Sequence, residues 1–533
     1  MVKTCVIFVN PFDFDRDISF TFDFHSGPLY LASFLKARFG EEILIEFLDL
    51  KIEVEKNHKV PLPRPGKWSQ FLAVLDSLVA RKIPQSVGKV IFAISCLASD
   101  QYAGTLLTGI ALRHIMPDAT IVVGGYHPSI FITDFLPYGQ VFDCVVLGEG
   151  EQALADIVTQ KSRRFLEGKV PPRVITGEPV ENLNDLPLLD LKLFAEYLGE
   201  YPTMGINLSR GCPFTCAFCL ERGVMSQGWR ACSPDRAILE IRNQVKVGQE
   251  FGIRKFGFYD PIFGHDRAWR ARVVEKMIQE QFEVEFWGET RCDALNREDL
   301  ALYKRAKLYM MFGLESGSPL MLKNMHKTGN PRFFLDHFRK VMLWSAELKY
   351  PSVMNVLFNH PGETLATMQE SQHFLLEMQR MNPYVVENSL MYRHYPGSEL
   401  FNHADIVQQK YGTRYLGGNW WHLLTHQLKA AKLNQASSHL PVRIAQATFL
   451  QYEINRLELT LDNITKASII NLPKILQIKT ELETARAALK EDQADKAFFA
   501  ANPPQVPPYL WEEFPAILQE STLSAGQFTV VPQ

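Results

Sequence analysis

The sequence predicts an α/β protein in which two parallel-sheet domains are followed by a helical region. Twice along the chain, β-branched runs alternate with amphipathic helical segments, and the alternation stops near residue 402. Strands that alternate with helices form right-handed βαβ units and therefore parallel sheets. A chain of 533 residues is also too long for a single hydrophobic core. We therefore expect domains at 1–160, 204–401 and 402–533, with a linker at 161–203.

The first domain is predicted to be a doubly wound, Rossmann-like sheet. Its strand candidates are 3–9, 43–48, 89–94, 119–124 and 141–147. Ligands of such sheets bind at the carboxyl ends of the strands. The residues found at those ends are Ser95, Gly124, Gly125, His127, Gly148 and Glu149. Glycines there would let the backbone approach a flat ligand closely, although they could equally form tight βα turns.

The second domain is predicted to be a partial (β/α)6 barrel. Its strand candidates are 205–209, 255–260, 284–289, 309–314, 352–358 and 385–392. The first helix should begin at Ser233, a capping hydroxyl followed by a proline suited to the first turn. The site of a parallel barrel lies on its C-terminal rim. In the helical C-terminal domain, the aromatic group Trp420, Trp421 and His422 fits a packed core better than a substrate-facing cluster.

Composition and charge narrow the functional classes. A net charge of −3 gives no field for binding nucleic acid, and no apolar run reaches the ~20 residues of a membrane span. The N-terminus lacks the pattern of a secretory signal, so we expect a cytoplasmic protein. Eight cysteines are too sparse for a disulfide scaffold. Five of them are scattered singly and are expected to be buried core residues.

The other three cysteines follow the first barrel strand as Cys212, Cys216 and Cys219, with the spacing C-x3-C-x2-C. Thiolates this close must surround a compact object. A zinc site normally uses four protein ligands, and no fourth cysteine or histidine pair follows at zinc spacing. A 4Fe–4S cluster fits better, because three irons take the thiolates and one stays open. The open iron can then bind an amine and a carboxylate.

This loop, preceded by a strand, framed by SRGCP and carrying Phe218 before the last cysteine, resembles the signature of the radical S-adenosylmethionine superfamily. The resemblance implies that the cluster donates an electron to S-adenosylmethionine, giving methionine and a 5′-deoxyadenosyl radical. It further implies a set of residues around S-adenosylmethionine: Phe218, Glu289, Arg291, Glu315, Ser316 and Asn355. Asp260 stands where many relatives carry a pair of acids, but the second is replaced by Pro261. Helix caps and rim salt bridges are the alternative roles for the rim residues.

The glycine-rich strand ends ahead of such a barrel resemble the cobalamin-binding domain of one large subfamily. The resemblance implies that Ser95, Gly124, Gly125, His127, Gly148 and Glu149 surround cobalamin. Residues 23–27 form an imperfect copy of the D-x-H-x-x-G loop that presents a histidine to cobalt. We therefore expect His25 to be a loop residue, and His127 to be a wall of the site without binding the cobalt.

Together these features predict a cobalamin-dependent radical C-methyltransferase. It would act on an unactivated carbon of a small molecule, lipid or peptide natural product, and take electrons from a donor such as flavodoxin or ferredoxin. Ring contraction or porphyrin ring cyclisation is the first alternative. A cobalamin-responsive binding protein is the second, although a sensor has no need of an open iron. Methylthiotransfer would require three clustered N-terminal cysteines, whereas Cys5, Cys96 and Cys144 are widely spaced.

Overall fold

The chain folds around two six-stranded sheets, each of them parallel throughout. The computed structural model describes residues 3–12, 26–56, 62–159, 171–221, 228–415, 419–423, 434–466, 477–487, 490 and 519–520. His25 and the proline-rich segment 501–515 lie outside the described residues.

The N-terminal sheet has the strand order β2–β1–β3–β4–β5–β6. Its strands are β1 (Lys3–Asn10), β2 (Ile43–Asp49), β3 (Val87–Ser95), β4 (Thr120–Gly124), β5 (Cys144–Leu147) and β6 (Arg173–Thr176). The chain reverses its direction of winding between β1 and β3, and doubly wound sheets bind ligands at that point. The strand β6 lies inside the predicted linker, so the domain extends beyond the expected boundary at 160. It was missed because it is largely exposed and carries no apolar run.

Helices cover both faces of this sheet. They are α1 (Ser26–Phe39), α2 (Trp68–Lys82), α3 (Tyr102–Ile115), α4 (Tyr126–Ile130) and α5 (Glu151–Thr159). Successive side chains of β1 point to opposite faces, as the period of a strand requires. Val6 and Phe8 pack into a core shared with the barrel, whereas Ile7 and Val9 pack into a second core. This division of β1 explains its nearly uninterrupted apolar sequence.

The second sheet has the order β7–β10–β11–β12–β13–β14, so neighbours in sequence are neighbours in space. Its strands are β7 (Thr203–Ile206), β10 (Lys255–Phe258), β11 (Glu285–Thr290), β12 (Leu308–Glu315), β13 (Ser352–Phe358) and β14 (Val385–Met391). A short hairpin, β8 (Ser209–Arg210) with β9 (Arg230–Ala231), follows β7. The first and last strands of the sheet do not pair, which gives the open, partial barrel that the sequence predicted.

Helices alternate with these strands. They are α6 (Ala195–Leu198) ahead of the barrel, then α7 (Pro234–Glu250), α8 (Arg267–Glu280), α9 (Arg297–Arg305), α10 (Pro319–Asn324), α11 (Pro331–Glu347) and α12 (Leu365–Met381). Ser233 caps α7 as predicted, since its side chain accepts a hydrogen bond from the Arg236 amide at 3.2 Å. On β12 the burial alternates, with Met310 and Phe312 fully buried and Met311 and Gly313 partly open.

The described part of the C-terminal region is mainly helical. Its helices are α13 (Glu399–Asn402), α14 (Ala404–Tyr411), α15 (Val442–Lys466) and α16 (477–487). Trp420 and Trp421 are buried in the second core of the N-terminal domain, as the sequence predicted. In the ranges given above, no helix combines the length and apolar character needed to cross a membrane.

Candidate active site between the two sheets

A cavity of about 540 Å³ lies where the carboxyl ends of the N-terminal strands meet the start of the barrel. The N-terminal sheet contributes Phe8 of β1, Ser95 of β3 and Gly124 of β4 to its wall. The barrel contributes Asn207 and Gly211, which flank the hairpin strand β8. One space therefore borders the ligand edge of the N-terminal sheet and, through Gly211 and Glu221, the two ends of the cysteine loop, whose three cysteines do not themselves line it.

Three glycines predicted to bind cofactor line this cavity, and they differ in why glycine is needed. Gly125 has a φ of 115°, and an added Cβ would lie 2.5 Å from the carbonyl oxygen of Cys96. The tight turn alone is therefore sufficient to require glycine at position 125. Gly148 has a φ of 76°, but an added Cβ would meet nothing nearer than 3.7 Å; at Gly124 the nearest atom is 3.5 Å away. The backbone at Gly124 and Gly148 thus leaves room for a ligand to approach closely.

Glu149 also lines the cavity, but its carboxylate is already paired. It accepts hydrogen bonds from Arg210 Nη1 at 2.6 Å, from the Val180 amide at 2.8 Å, and from Arg230. Burial alone would raise the pKa of Glu149, yet the two guanidinium groups and the amide outweigh it and lower the pKa. Glu149 is therefore an anion that binds the barrel, which is a role the sequence did not reveal.

His127 does not line the cavity, in contrast to the prediction that it forms a wall of the site. Its ring is fully buried, with Nδ1 3.0 Å from Ser99 Oγ and Nε2 3.0 Å from Asp134 Oδ2. Asp134 also accepts hydrogen bonds from Trp421 Nε1 at 2.6 Å and from His422 Nε2 at 2.8 Å. Burial lowers the pKa of His127. These contacts give His127 a structural role, because they join α4 to the C-terminal region.

The cysteine loop follows β8 and is held in place at its middle. The Ala217 amide donates to the Met325 carbonyl at 2.9 Å, and the Ala217 carbonyl accepts from the Leu400 amide at 3.2 Å. Within the loop, the Cys219 amide donates to the Cys216 carbonyl at 3.1 Å. Cys212, Cys216 and Cys219 are partly exposed and none is in a disulfide. The loop therefore presents three available thiols in a fixed turn.

A buried ion pair lies at the end of β12, close to this loop. Lys327 Nζ lies 2.9 Å from Glu315 Oε1, and a Cβ on Gly313 would come within 2.8 Å of that ammonium. Glu315 has a φ of 70° after a register shift in β12, an uncommon conformation that redirects its side chain. Burial alone would lower the pKa of Lys327, but the charges of Glu315 and Cys216 raise it. Glu315 was predicted, whereas Lys327 was missed because it lies in a turn.

Arg291, at the end of β11, packs directly on the cysteine loop. Its guanidinium carbon lies 4.0 Å from the ring centre of Phe214. Its Nε and Nη2 bind Asp293 at 3.0 and 2.8 Å, while Nη1 is buried without a hydrogen-bond partner. A buried donor without a partner is costly unless a ligand satisfies it. The free nitrogen can satisfy a carboxylate, which fits the place beside S-adenosylmethionine that the resemblance implies for Arg291. The predicted acid Glu289 of β11 is exposed to solvent and interacts with Asn355 of β13.

Two other predicted residues have structural partners. Ser316 Oγ lies 2.7 Å from Ser371 Oγ and accepts a hydrogen bond from the Ser318 amide at 3.1 Å, just ahead of α10. The Phe218 ring lies 6.2 Å from His360 at an interplanar angle of 90°. Neither side chain is therefore unsatisfied in the absence of a ligand.

Asp260 organises the approach to the cysteine loop. Its Oδ1 accepts hydrogen bonds from the Leu208 amide at 2.8 Å and the Ser209 amide at 2.7 Å. Burial raises the pKa of Asp260 to about 7, although both amides oppose the shift. The single acid at this position thus fixes the backbone just before β8, and the loss of the second acid to Pro261 leaves that function intact.

The residues present fit both kinds of cofactor. In the described ranges, no three His, Cys, Asp or Glu side chains converge on one metal-ion position. An iron–sulfur cluster does not require one shared metal-ion position, because each thiolate binds a different iron. The unpartnered nitrogen of Arg291 beside the loop fits the carboxylate of an amino acid. The open backbone at Gly124 and Gly148 fits the broad face of a corrin.

Comparison with known proteins agrees with this arrangement. Residues 77–158 match the B12 binding domain, and residues 206–375 match the Radical SAM superfamily. The chain is 29% identical over 233 residues to the anaerobic magnesium-protoporphyrin IX monomethyl ester cyclase of Synechocystis sp., covering 40% of this chain and 46% of that protein. It is 24% identical to the hopanoid C-3 methylase of Methylococcus capsulatus, covering 57% of this chain and 64% of that protein. The match therefore spans between about half and two thirds of these relatives.

Two solved structures share the fold. The chain aligns with the cobalamin-dependent S-adenosylmethionine radical enzyme OxsB with aqua-cobalamin bound at a TM-score of 0.59 and 14% identity, over 99% of this chain and 85% of that one. It aligns with the methyltransferase TsrM of Kitasatospora setae with cobalamin and a [4Fe-4S] cluster bound at a TM-score of 0.56 and 16% identity, over 78% and 77%.

The order of domains and the position of the cysteine loop thus define a radical S-adenosylmethionine enzyme with a cobalamin domain. The chain carries a radical SAM domain at 206–375 and, ahead of it, a B12-binding domain at 77–158. The cofactors that these two domains imply are a 4Fe–4S cluster, S-adenosylmethionine and cobalamin.

Proposed function

We propose that this protein is a C-methyltransferase that acts on an unactivated carbon of a small molecule, lipid or peptide natural product. The observation that carries the proposal is the single cavity reached from both ligand edges, from Gly148 on one side and from Gly211 on the other. When bound, the cluster supplies the electron that cleaves S-adenosylmethionine, and the cobalamin supplies the methyl group that is transferred. A substrate in this cavity can meet both.

The chain's own residues have defined parts in this reaction. Cys212, Cys216 and Cys219 would hold the cluster, and Arg291 would orient the carboxylate of S-adenosylmethionine through its free nitrogen. Glu315, fixed by Lys327, would lie where it can accept hydrogen bonds from the same molecule. The apolar wall around Phe8 and Leu154 would exclude water from radicals formed there.

The names of several relatives support methyl transfer. Besides the hopanoid C-3 methylase, the matched proteins include a hopanoid C-2 methylase of Rhodopseudomonas palustris at 27% identity over 222 residues. An uncharacterized methyltransferase of Pyrococcus horikoshii is 26% identical over 273 residues.

Ring formation without methyl transfer is a second candidate, because three of the matched relatives are named as magnesium-protoporphyrin cyclases. The two reactions separate in one anaerobic assay with methyl-labelled S-adenosylmethionine and a cell extract. Methyl transfer predicts label in a product together with 5′-deoxyadenosine. 5′-Deoxyadenosine with no label in any product would overturn methyl transfer and favour ring formation.

We also propose the cellular setting. The cluster needs a low-potential electron donor, for which flavodoxin or ferredoxin is suited, and the reduced thiols fit the cytoplasm. Replacement of a chemical reductant by flavodoxin and its reductase should sustain cleavage of S-adenosylmethionine. Failure of both flavodoxin and ferredoxin to do so would contradict this assignment of the donor.

A further inference from the structure

The cysteine loop is attached to the cobalamin domain at its N-terminal end. Arg210 lies two residues before Cys212, and its guanidinium bridges two carboxylates at the end of β5. Nη1 lies 2.6 Å from Glu149 Oε2, and Nη2 lies 2.6 Å from Glu151 Oε1. Both carboxylates are nearly fully buried. Burial alone would lower the pKa of Arg210, but the two carboxylates outweigh it and raise the pKa.

The other end of the loop is attached to the same domain. Glu221 lies two residues after Cys219, is buried, and accepts a hydrogen bond from Tyr126 Oη at 3.0 Å. Tyr126 begins α4, directly after Gly124 and Gly125 at the end of β4. The two attachments thus reach β4 and β5, the strands whose glycines line the cavity.

These attachments can transmit a displacement of the cobalamin domain to the cysteine loop. A guanidinium that binds two carboxylates has a defined plane as well as a charge, so a shift of either carboxylate moves it. Glu149 and Glu151 are nearly fully buried and Arg210 is largely buried, so this pairing is stronger than one at an exposed surface. Arg230 binds Glu149 as well and pins the same carboxylate from β9.

We propose that Arg210 and Glu221 are positioning residues that couple the two cofactor sites. Cobalamin at the ends of β4 and β5 fixes Tyr126, Glu149 and Glu151, and these fix both ends of the cysteine loop. Bound cobalamin should therefore tighten the binding of the cluster. By thermodynamic linkage, a cluster assembled in the loop must tighten the binding of cobalamin by the same factor. The inference rests on the presence of both cofactors and is independent of whether a methyl group is transferred.

The test measures the affinity for hydroxocobalamin twice under anaerobic conditions, with the chain free of iron and with its cluster reconstituted. In the wild type the cluster should tighten binding at least about fivefold, the lower range of allosteric coupling. In Arg210→Gln, which leaves only the Tyr126–Glu221 attachment, the ratio of the two affinities should fall at least about twofold below the wild-type ratio. Arg242→Gln, which breaks the exposed pair with Glu280, is the matched control and should keep the wild-type ratio.

Equal affinities in the wild type would overturn the proposal, and so would an undiminished ratio in a folded Arg210→Gln. If Arg210→Gln does not fold, Tyr126→Phe removes only the hydroxyl that holds Glu221 and should still reduce the ratio. An unchanged ratio in Tyr126→Phe would then overturn the proposal. Because the readout is binding, the outcome stands apart from the labelled-product assay of methyl transfer.

Discussion

The ligand edges of the two sheets are both formed by the carboxyl ends of parallel strands, but their chemistry is opposite. The edge of the N-terminal sheet is made of glycines and apolar side chains, and its carboxylates are occupied by Arg210 and Arg230. The edge of the barrel carries buried charge, with the Glu315–Lys327 pair and an incompletely paired Arg291.

The two edges show that the fold and the residues after each strand have separate roles in ligand binding. The fold determines where ligands bind, whereas the residues after each strand determine which ligand fits. A broad, mainly apolar face suits a corrin, while buried charges of both signs suit the amine and carboxylate of an amino acid. A substitution at one edge should therefore remove the cofactor bound there and leave the other cofactor bound.

The largest effect is expected at the cysteine loop. Cys216→Ala removes one of three thiolates and should abolish the cluster, with about four irons per chain in the wild type and almost none in the variant. Cobalamin binding should persist, weakened only by the lost coupling. Iron analysis and the visible spectrum measure both.

Cys5→Ala is the control for that variant, because Cys5 is buried in the N-terminal sheet and distant from the loop in the fold. It should retain the full cluster. A full cluster in Cys216→Ala would show that the ligands have been misassigned.

A large effect on the other cofactor, cobalamin, is expected at Gly148. In Gly148→Val a side chain enters the open side of the cavity, and cobalamin affinity should fall about a hundredfold, or 2.7 kcal/mol. Iron content should stay at the wild-type level.

Gly66→Val controls for backbone strain, because Gly66 has the same φ of 76° in an exposed loop with nothing within 4 Å. Its cobalamin affinity should match the wild type. Equal losses in both variants would mean that strain, and not the cavity, governs binding.

A smaller effect is expected at Lys327. Lys327→Met keeps the volume but leaves Glu315 without its counter-charge, so the affinity for S-adenosylmethionine should fall about tenfold, as for other residues that hold a ligand-binding group. Equilibrium dialysis with the reconstituted protein measures it.

Lys276→Met, which breaks a surface pair with Asp235, should leave that affinity unchanged. If Lys327→Met also leaves it unchanged, then Glu315 does not depend on its partner and its role at the site is in doubt.

The sequence predicted most of the large sheets and part of the site. The strands of the two large sheets, apart from β6, were located to within about three residues at each end, because buried parallel strands are apolar and helices separate them. The cysteine loop and Arg291 were found because their spacing and strand-end positions carry chemistry. Lys327 was missed since it follows α10 and only the tertiary fold brings it to Glu315.

The domain contacts were not predictable for a related reason. Arg210 stands in the SRGCP motif, but its partners Glu149 and Glu151 are about 60 residues away in the sequence. Likewise, His127 follows a glycine-rich strand end and was expected at the cavity. Its contact with Asp134, seven residues along, turns the ring into the protein core.

The smallest effect is expected in the pH dependence of folding stability, to which one carboxylate from each edge contributes with opposite sign. The pKa of Glu149 is lowered in the folded chain, so its contribution to stability is present above its unfolded pKa and is lost as the pH falls. The pKa of Asp260 is raised from 3.8 to about 7, so the folded state becomes relatively less stable as the pH rises between those values.

Urea unfolding of the iron-free chain from about pH 3 to pH 8 checks both signs. Relative to the wild type, Glu149→Gln should become less stable as the pH rises towards 4.5, the ordinary pKa of a glutamate, and should change little above it. Asp260→Asn should become more stable as the pH rises from 3.8 to about 7, and each change is at most about 1.4 kcal/mol per pH unit. The same trend in both variants would contradict the contrast between the edges.

Whether the two edges face one cavity is tested most directly by electron paramagnetic resonance of the protein loaded with cob(II)alamin and a reduced cluster. If both cofactors border the same space, the cob(II)alamin signal should be broadened by the reduced cluster, and Cys216→Ala should restore the unbroadened signal. A wild-type spectrum equal to the sum of two isolated centres would contradict this arrangement.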